Sequence, residues 1–119
     1  MPAEHVDSSL ARVNYQLSLP PRAIRRVPRA SQFGDVAHIH RDGGMENVTA
    51  LLYPNAEWHP SYSGETMFFA EDEAARQAIL PRPGRLLLFC AAIKHCGRPP
   101  SRLFWGQRLT LAIKFAAAR

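Results

Sequence analysis

Arg108-Leu109-Thr110-Leu111-Ala112-Ile113-Lys114-Phe115 alternates without a break. Successive side chains of an extended strand point to opposite faces, so Arg108, Thr110, Ala112 and Lys114 share one face and Leu109, Leu111, Ile113 and Phe115 share the other. The first face is polar and narrow; the second is apolar. Toward the N-terminus, β-like runs at 24–31, 36–41, 48–53, 65–70, 76–80, 85–90 and 95–98 are separated by turn signals and bring the candidate strands to eight. Eight short strands in two facing sheets make a mainly all-β jelly roll with a cupin-like architecture. Only Glu71 to Ala78 offers a short helix or an acidic loop as a competitor to strand, so helical support is small or absent. By the same period of two, Tyr53 shares a face with Leu51 and Thr49, and His38 with His40.

A chain of 119 residues makes one domain with a single core. We divide it into a tail or short accessory segment at 1–23 and the jelly-roll core at 24–119; within the tail, Val13, Tyr15, Leu17 and Leu19 alternate as a strand or short helix would. With 46% hydrophobic and 21% charged residues the composition is that of a soluble globular protein. No run approaches the roughly 20 apolar residues of a membrane span. The start Met1-Pro2-Ala3-Glu4-His5 lacks the basic and apolar regions of a signal peptide, and a cytoplasmic location is the default expectation.

The formal charge of +5 raises the question of nucleic acid. Arg22, Arg25, Arg26 and Arg29 fall together, but without the interleaved aromatics that stack on single strands, and a solvated edge or loop is the preferred reading. Chemistry is carried instead by His40-Arg41-Asp42 and by His95, which follows the apolar run Leu86 to Phe89. Two imidazoles and a carboxylate on one side of a metal leave positions open opposite, a set suited to non-haem Fe(II) and oxygen rather than to a closed zinc site. Cys90 and Cys96 flank His95, but their spacing is too long for a structural zinc knuckle and no second pair exists, so buried, reduced thiols are expected. Gly43-Gly44 after Asp42 suggests a turn that needs positive φ.

These residues occur in a recognisable order. His40-Arg41-Asp42, Val48 to Asn55, Trp58, Gly64 to Phe69, Pro81 to Phe89, His95 and Arg108 to Phe115 together resemble the double-stranded β-helix core of the 2-oxoglutarate- and Fe(II)-dependent oxygenases, in particular the prolyl-4-hydroxylase-like branch. The likeness runs from about residue 24 to residue 115. Pro54 stands where that branch carries an apolar residue, and Ser63 replaces the first glycine of a Gly-Gly-Glu motif. The resemblance implies that His40, Asp42 and His95 ligate Fe(II), with 2-oxoglutarate as cosubstrate and O2 as oxidant. It implies that Arg108 binds the distal carboxylate of 2-oxoglutarate, since guanidinium offers two parallel donors, and that Tyr53 donates its phenol to the same group. Lys114 is an alternative anchor, in an Arg-x5-basic arrangement shared with alkylation-repair demethylases of the superfamily.

The implied activity is oxidation of an unactivated C–H bond of a small molecule or peptidyl residue, with succinate and CO2 as co-products; a carboxylate at position 42 favours hydroxylation-type chemistry. The rivals are a nucleic-acid demethylase of the same superfamily and a non-catalytic, cupin-like binding or scaffold protein that keeps the ligands by descent. Relatives place helices N-terminal to this core, and about twenty residues cannot supply them. Leu109, Leu111, Ile113 and Phe115, with Val48, Ala50 and Leu52, are therefore expected to be left exposed and to be covered by a homodimer, by the 1–21 segment or by the rest of a longer protein.

Overall fold

The computed structural model describes residues 3–5 and 21–117. Its strands are β1 (Ala3–His5), β2 (Pro21–Ser31), β3 (Val48–Leu52), β4 (Thr66–Phe69), β5 (Ala75–Ile79), β6 (Leu86–Cys90), β7 (Lys94–Gly97) and β8 (Arg108–Ala117), with one 3-10 turn at Pro60–Tyr62. A five-stranded sheet has the order β1-β6-β3-β8-β2, and a three-stranded sheet the order β5-β4-β7. Every pairing is antiparallel except β1 with β6. This mainly-β, two-sheet arrangement is a double-stranded β-helix. The run Val13 to Leu19 lies outside the described residues.

Alternation along each strand fills the space between the sheets. Leu87 and Phe89 of β6, Phe68 of β4 and Tyr53, just past β3, are fully buried in one cluster with Leu51, Ile79 and Ile93 packed against it. Phe68 meets Phe89 edge-on at 5.0 Å, and Phe89 meets the His95 ring at 4.8 Å. Truncating either phenylalanine would cost about 3–5 kcal/mol and loosen the wall behind His95. Register then sets a gradient across the larger sheet. Phe89 pairs with Thr49, Thr49 with Lys114, and Lys114 with Arg25, so one inner row passes from apolar to cationic toward the β2 edge.

The polar face expected for β8 does point inward. Arg108, Thr110 and Ala112 are buried. On the opposite face Leu109, Leu111, Ile113 and Phe115 are half-buried rather than exposed, and Val48 and Ala50 are buried. The expectation of a bare apolar face is therefore too strong for the described residues.

One local expectation fails and another is met in part. Residues 36–41 form no strand: His40 alone makes a bridge, exchanging backbone bonds of 2.9 Å each way with His95. Past it the chain turns onto another carbonyl, with the Asp42 and Gly43 amides both donating to Ala91 O at 2.8 and 3.1 Å. Of the short helix or acidic loop expected at Glu71 to Ala78, the acidic residues form a loop, the tight turn between β4 and β5, with Glu73 at φ 67° and Asp72 accepting the Ala74 amide, and the rest belongs to β5.

Candidate active site

His40 and His95 are brought together by that single bridge, their rings 4.4 Å apart. Each Nδ1 lies 2.9 Å from a carbonyl two residues earlier, that of His38 and that of Ile93 respectively. A neutral ring that donates from Nδ1 presents a bare Nε2 lone pair, the form that binds metals. Both Nε2 atoms face Asp42, His40 at 3.3 Å from Oδ1 and His95 at 3.3 Å from Oδ2. Acceptors opposed at that distance repel unless a proton or a cation lies between them. The three donor atoms lie within 4.8 Å of one another. Adjacent ligands of an octahedral ion bound at ~2.1 Å stand ~3 Å apart, so the set fits a small divalent cation.

Asp42 is the electrostatic centre of this end. Its Oδ2 also accepts from Lys114 Nζ at 2.6 Å and Thr49 Oγ1 at 2.8 Å. Burial alone would raise its pKa, but in the metal-free protein, with protons rather than a cation between the rings and the carboxylate, the hydrogen bonds from His40 and His95, the charge of His95 and Lys114 together hold the carboxyl far below the usual carboxylate range. The hydrogen bond to Asp42 in turn raises His40 above the ordinary imidazole value, against the effect of its partial burial.

Arg108 occupies the other end, at the start of β8, with 5% of its surface exposed. Its Nε donates to Gly64 O at 2.6 Å and one terminal nitrogen donates to Thr66 Oγ1 at 3.0 Å. Tyr53 OH shares the same Thr66 hydroxyl at 2.5 Å, and the guanidinium carbon stands 5.8 Å from the centre of the Tyr53 ring. No carboxylate among the described residues lies within ion-pair distance of this guanidinium, and burial lowers its pKa. Burial likewise pushes the Tyr53 phenol up.

Backbone geometry makes room for Arg108. A Cβ on Gly97 would stand 3.1 Å from an Arg108 terminal nitrogen, and one on Gly64 would meet Trp58 at 2.8 Å and Arg108 at 3.2 Å. Gly97 lies two residues beyond His95 on β7, ~6.8 Å along the strand, which sets the guanidinium apart from the metal-ligand end but within the same cavity. Asn55 fixes the strand position: its side chain donates to Gln107 O at 2.9 Å and accepts from Leu109 N at 2.7 Å, clasping both neighbours of Arg108.

A cavity of about 1080 Å³ joins the two ends and is lined by His40, Asp42, His95, Arg108 and Lys114. Tyr53 stands behind Thr66, which lines the cavity while Tyr53 does not. Lys114, the alternative anchor, spends its charge on Asp42.

The minor expectations divide: the turn at Gly43-Gly44 resolves differently, whereas the two cysteines and Trp58 stand as expected. Neither Gly43 nor Gly44 has positive φ, and a Cβ at either would first meet only the mobile ends of the Asn47 and Glu46 side chains, at 2.9 and 2.8 Å. The positive φ appears at Ser63 and Gly64, at 57° and 75°. Cys90 and Cys96 are buried free thiols outside the His–Asp–His cluster. Trp58 packs against Tyr62 and Phe104, and its Nε1 donates to Ser63 O. Thr49, Thr66, Asn55 and Gly97 were not singled out for roles from the sequence; the register Thr49↔Lys114 and Thr66↔Gly97 is what reveals them.

A metal-ready His–Asp–His cluster facing a buried arginine across the mouth of a double-stranded β-helix defines a class. The family model described as the 2OG-Fe(II) oxygenase superfamily matches residues 28–115, and the chain belongs to that superfamily. Among solved structures it is similar to the crystal structure of a Pseudomonas putida prolyl-4-hydroxylase, with a TM-score of 0.62, 24% identity, and coverage of 79% of this chain and 51% of that one. At that identity the likeness speaks for the fold, and the match spans about half the length of the Pseudomonas protein. No curated protein matches the chain.

Proposed function

We propose that this chain is an Fe(II)- and 2-oxoglutarate-dependent dioxygenase that hydroxylates, or otherwise oxidises, an unactivated C–H bond of a small molecule or peptidyl residue. The observation that carries the reading is Arg108: a guanidinium 5% exposed, with no carboxylate within ion-pair distance among the described residues, in the cavity that also holds His40, Asp42 and His95. A buried charge left unpaired is costly, and a dicarboxylic cosubstrate would supply the missing anion.

His40, Asp42 and His95 would hold the metal through two Nε2 atoms and one carboxylate. With iron and 2-oxoglutarate bound, the centre supplies O2 activation coupled to decarboxylation of the cosubstrate to succinate and CO2. The backbone carbonyls of His38 and Ile93 fix the ring tautomers and aim each Nε2 inward. Thr49 and Lys114 orient Asp42 and balance its charge. Arg108 takes the distal carboxylate of 2-oxoglutarate, while Thr66, held by Tyr53, keeps the guanidinium from rotating away. Tyr53 thus acts through Thr66 unless that hydroxyl yields its place to the ligand. Phe89 and Phe68 wall off water behind His95.

Succinate release from 2-oxoglutarate under air, with and without Fe(II), tests the reading. Iron-dependent succinate that disappears in His95→Ala supports an oxygenase. No succinate with iron bound would favour the non-catalytic binding protein.

A further inference from the structure

Among the described residues strand β2 is an edge of the larger sheet, and its pairing with β8 decides where its arginines point. Arg25 stands opposite Lys114 and Arg29 opposite Thr110, both on the inner face of β8, whereas Arg26 stands opposite Ile113 on the outer face. The bulge between Ala23 and Arg25 sets this phase. Arg25 and Arg29 accordingly line the same cavity as His40 and Arg108.

Edge strands carry charge to discourage pairing with other chains, and outward arginines satisfy that need. The inward pair requires another account. Among the described residues no acidic side chain forms an ion pair with Arg25 or Arg29, although both are exposed and line a cavity. Of the other cations lining the cavity, Arg41 is paired with Glu71 at 2.6 Å and Lys114 with Asp42, while Arg108 is assigned to the cosubstrate. Asp35, the remaining acid of the cavity lining, accepts the Gln32 amide. Loading the site leaves this excess in place, because a divalent cation and a dianionic cosubstrate cancel.

We propose that Arg25 and Arg29 form an anion-recognition strip at the cavity mouth, so that the prime substrate carries a carboxylate or phosphate group apart from the C–H bond to be oxidised. Guanidinium pairs with either group through two parallel N–H donors, and the low-salt field of a cationic cleft also speeds capture. The inference rests on the oxygenase reading and narrows its substrate class.

The test uses the full chain loaded with Mn(II), which binds the same donors, and saturated with 2-oxoglutarate so that the Arg108 end is occupied. Calorimetric titration at low salt compares the C-terminal amide of N-acetyl-prolyl-glutamate with its uncharged twin, the C-terminal amide of N-acetyl-prolyl-glutamine, and titrates inorganic phosphate separately. We expect one of the anions to bind about tenfold or more tighter than the neutral twin. That preference should vanish in the Arg25→Gln/Arg29→Gln double variant and persist in Arg26→Gln, which removes a like charge from the opposite face. Phosphate binding without a glutamate preference assigns the strip to phosphoryl groups; the reverse assigns it to carboxylates. Equal or absent binding of all three probes, or a preference that survives the double variant, overturns the inference. Mn(II)-dependent uptake of 2-oxoglutarate is measured first. Its absence would sink the oxygenase reading itself, whereas normal uptake with no anion preference would sink only the strip.

Discussion

At the metal-ligand end of the cavity, Asp42 is in contact with His40, His95, Lys114 and Thr49, and its charge is already matched within the protein. At the other end, Arg108 has a carbonyl and a hydroxyl for hydrogen-bond partners and no carboxylate within ion-pair distance among the described residues. The two ends are thus built for opposite tasks. A carboxylate surrounded by cations and donors stays ionised and aimed, which a metal ligand must do before any metal arrives. A desolvated guanidinium held by neutral partners is incomplete, and its incompleteness favours capture of an anion. Stability is concentrated at the first end and ligand affinity at the second.

The sharpest way to break that contrast is to remove a metal ligand. His95→Ala should abolish iron-dependent succinate production and weaken Mn(II) binding more than about 100-fold, beyond what loss of an outer-shell partner costs. Retained metal affinity, measured by calorimetry, would show that the cluster is not the metal site. Next in size is the anchor. Arg108→Ala should weaken 2-oxoglutarate binding by about 2–5 kcal/mol, or ~30-fold and more, while Lys114→Ala costs less than about tenfold because Lys114 serves Asp42. The reverse ranking would transfer the anchor to Lys114.

Acidity gives a smaller and differently signed effect. In the metal-free protein the raised pKa of His40 contributes stability that is present below the unfolded value of about 6.5 and is lost as pH rises through the folded value. The depressed pKa of Asp42 contributes stability present above about 3.9 and lost as pH falls below it. Metal-free protein should therefore melt highest between about pH 4 and 6.5, melt lower as pH rises above that window, and lose that dependence in Asp42→Asn. A melting temperature flat from pH 6 to 8 would remove the His40–Asp42 coupling. Smallest is the backbone at Ser63, which holds φ 57° and ψ −131°, a conformation natural to glycine. Ser63→Gly should stabilise by ~0.5–1 kcal/mol, read as a rise of a few degrees in Tm; a fall would show that the serine side chain compensates the strain.

Much of this was legible in the chain. The unbroken alternation from Arg108 to Phe115 fixes which residues face the cavity, and the structure keeps Arg108 and Lys114 on that face. The pattern His40-x-Asp42 with His95 identified the cluster that converges. What escaped depends on pairing between distant strands. Residues 36–41 have strand-like composition but only His40 reaches a partner, because Asp42 and Gly43 turn to the Ala91 carbonyl instead. Thr49 and Thr66 look like ordinary strand threonines until register sets them beside Asp42 and Arg108. The replacement of glycine by Ser63 was visible, but the left-handed backbone it must adopt was not; the expectation of positive φ fell on Gly43-Gly44 instead. Burial of Val48 and Ala50 could not be read from their own strand, since a side chain's exposure depends on what lies across from it.

The contrast between a balanced metal end and an unbalanced anchor end is tested most directly by titrating 2-oxoglutarate into the Mn(II)-loaded chain and following heat released in the wild type, Arg108→Ala and Arg26→Gln. Our account requires saturable binding in the wild type and in Arg26→Gln, with affinity falling ~30-fold or more in Arg108→Ala while Mn(II) affinity is unchanged. Equal 2-oxoglutarate affinity in wild type and Arg108→Ala would contradict it.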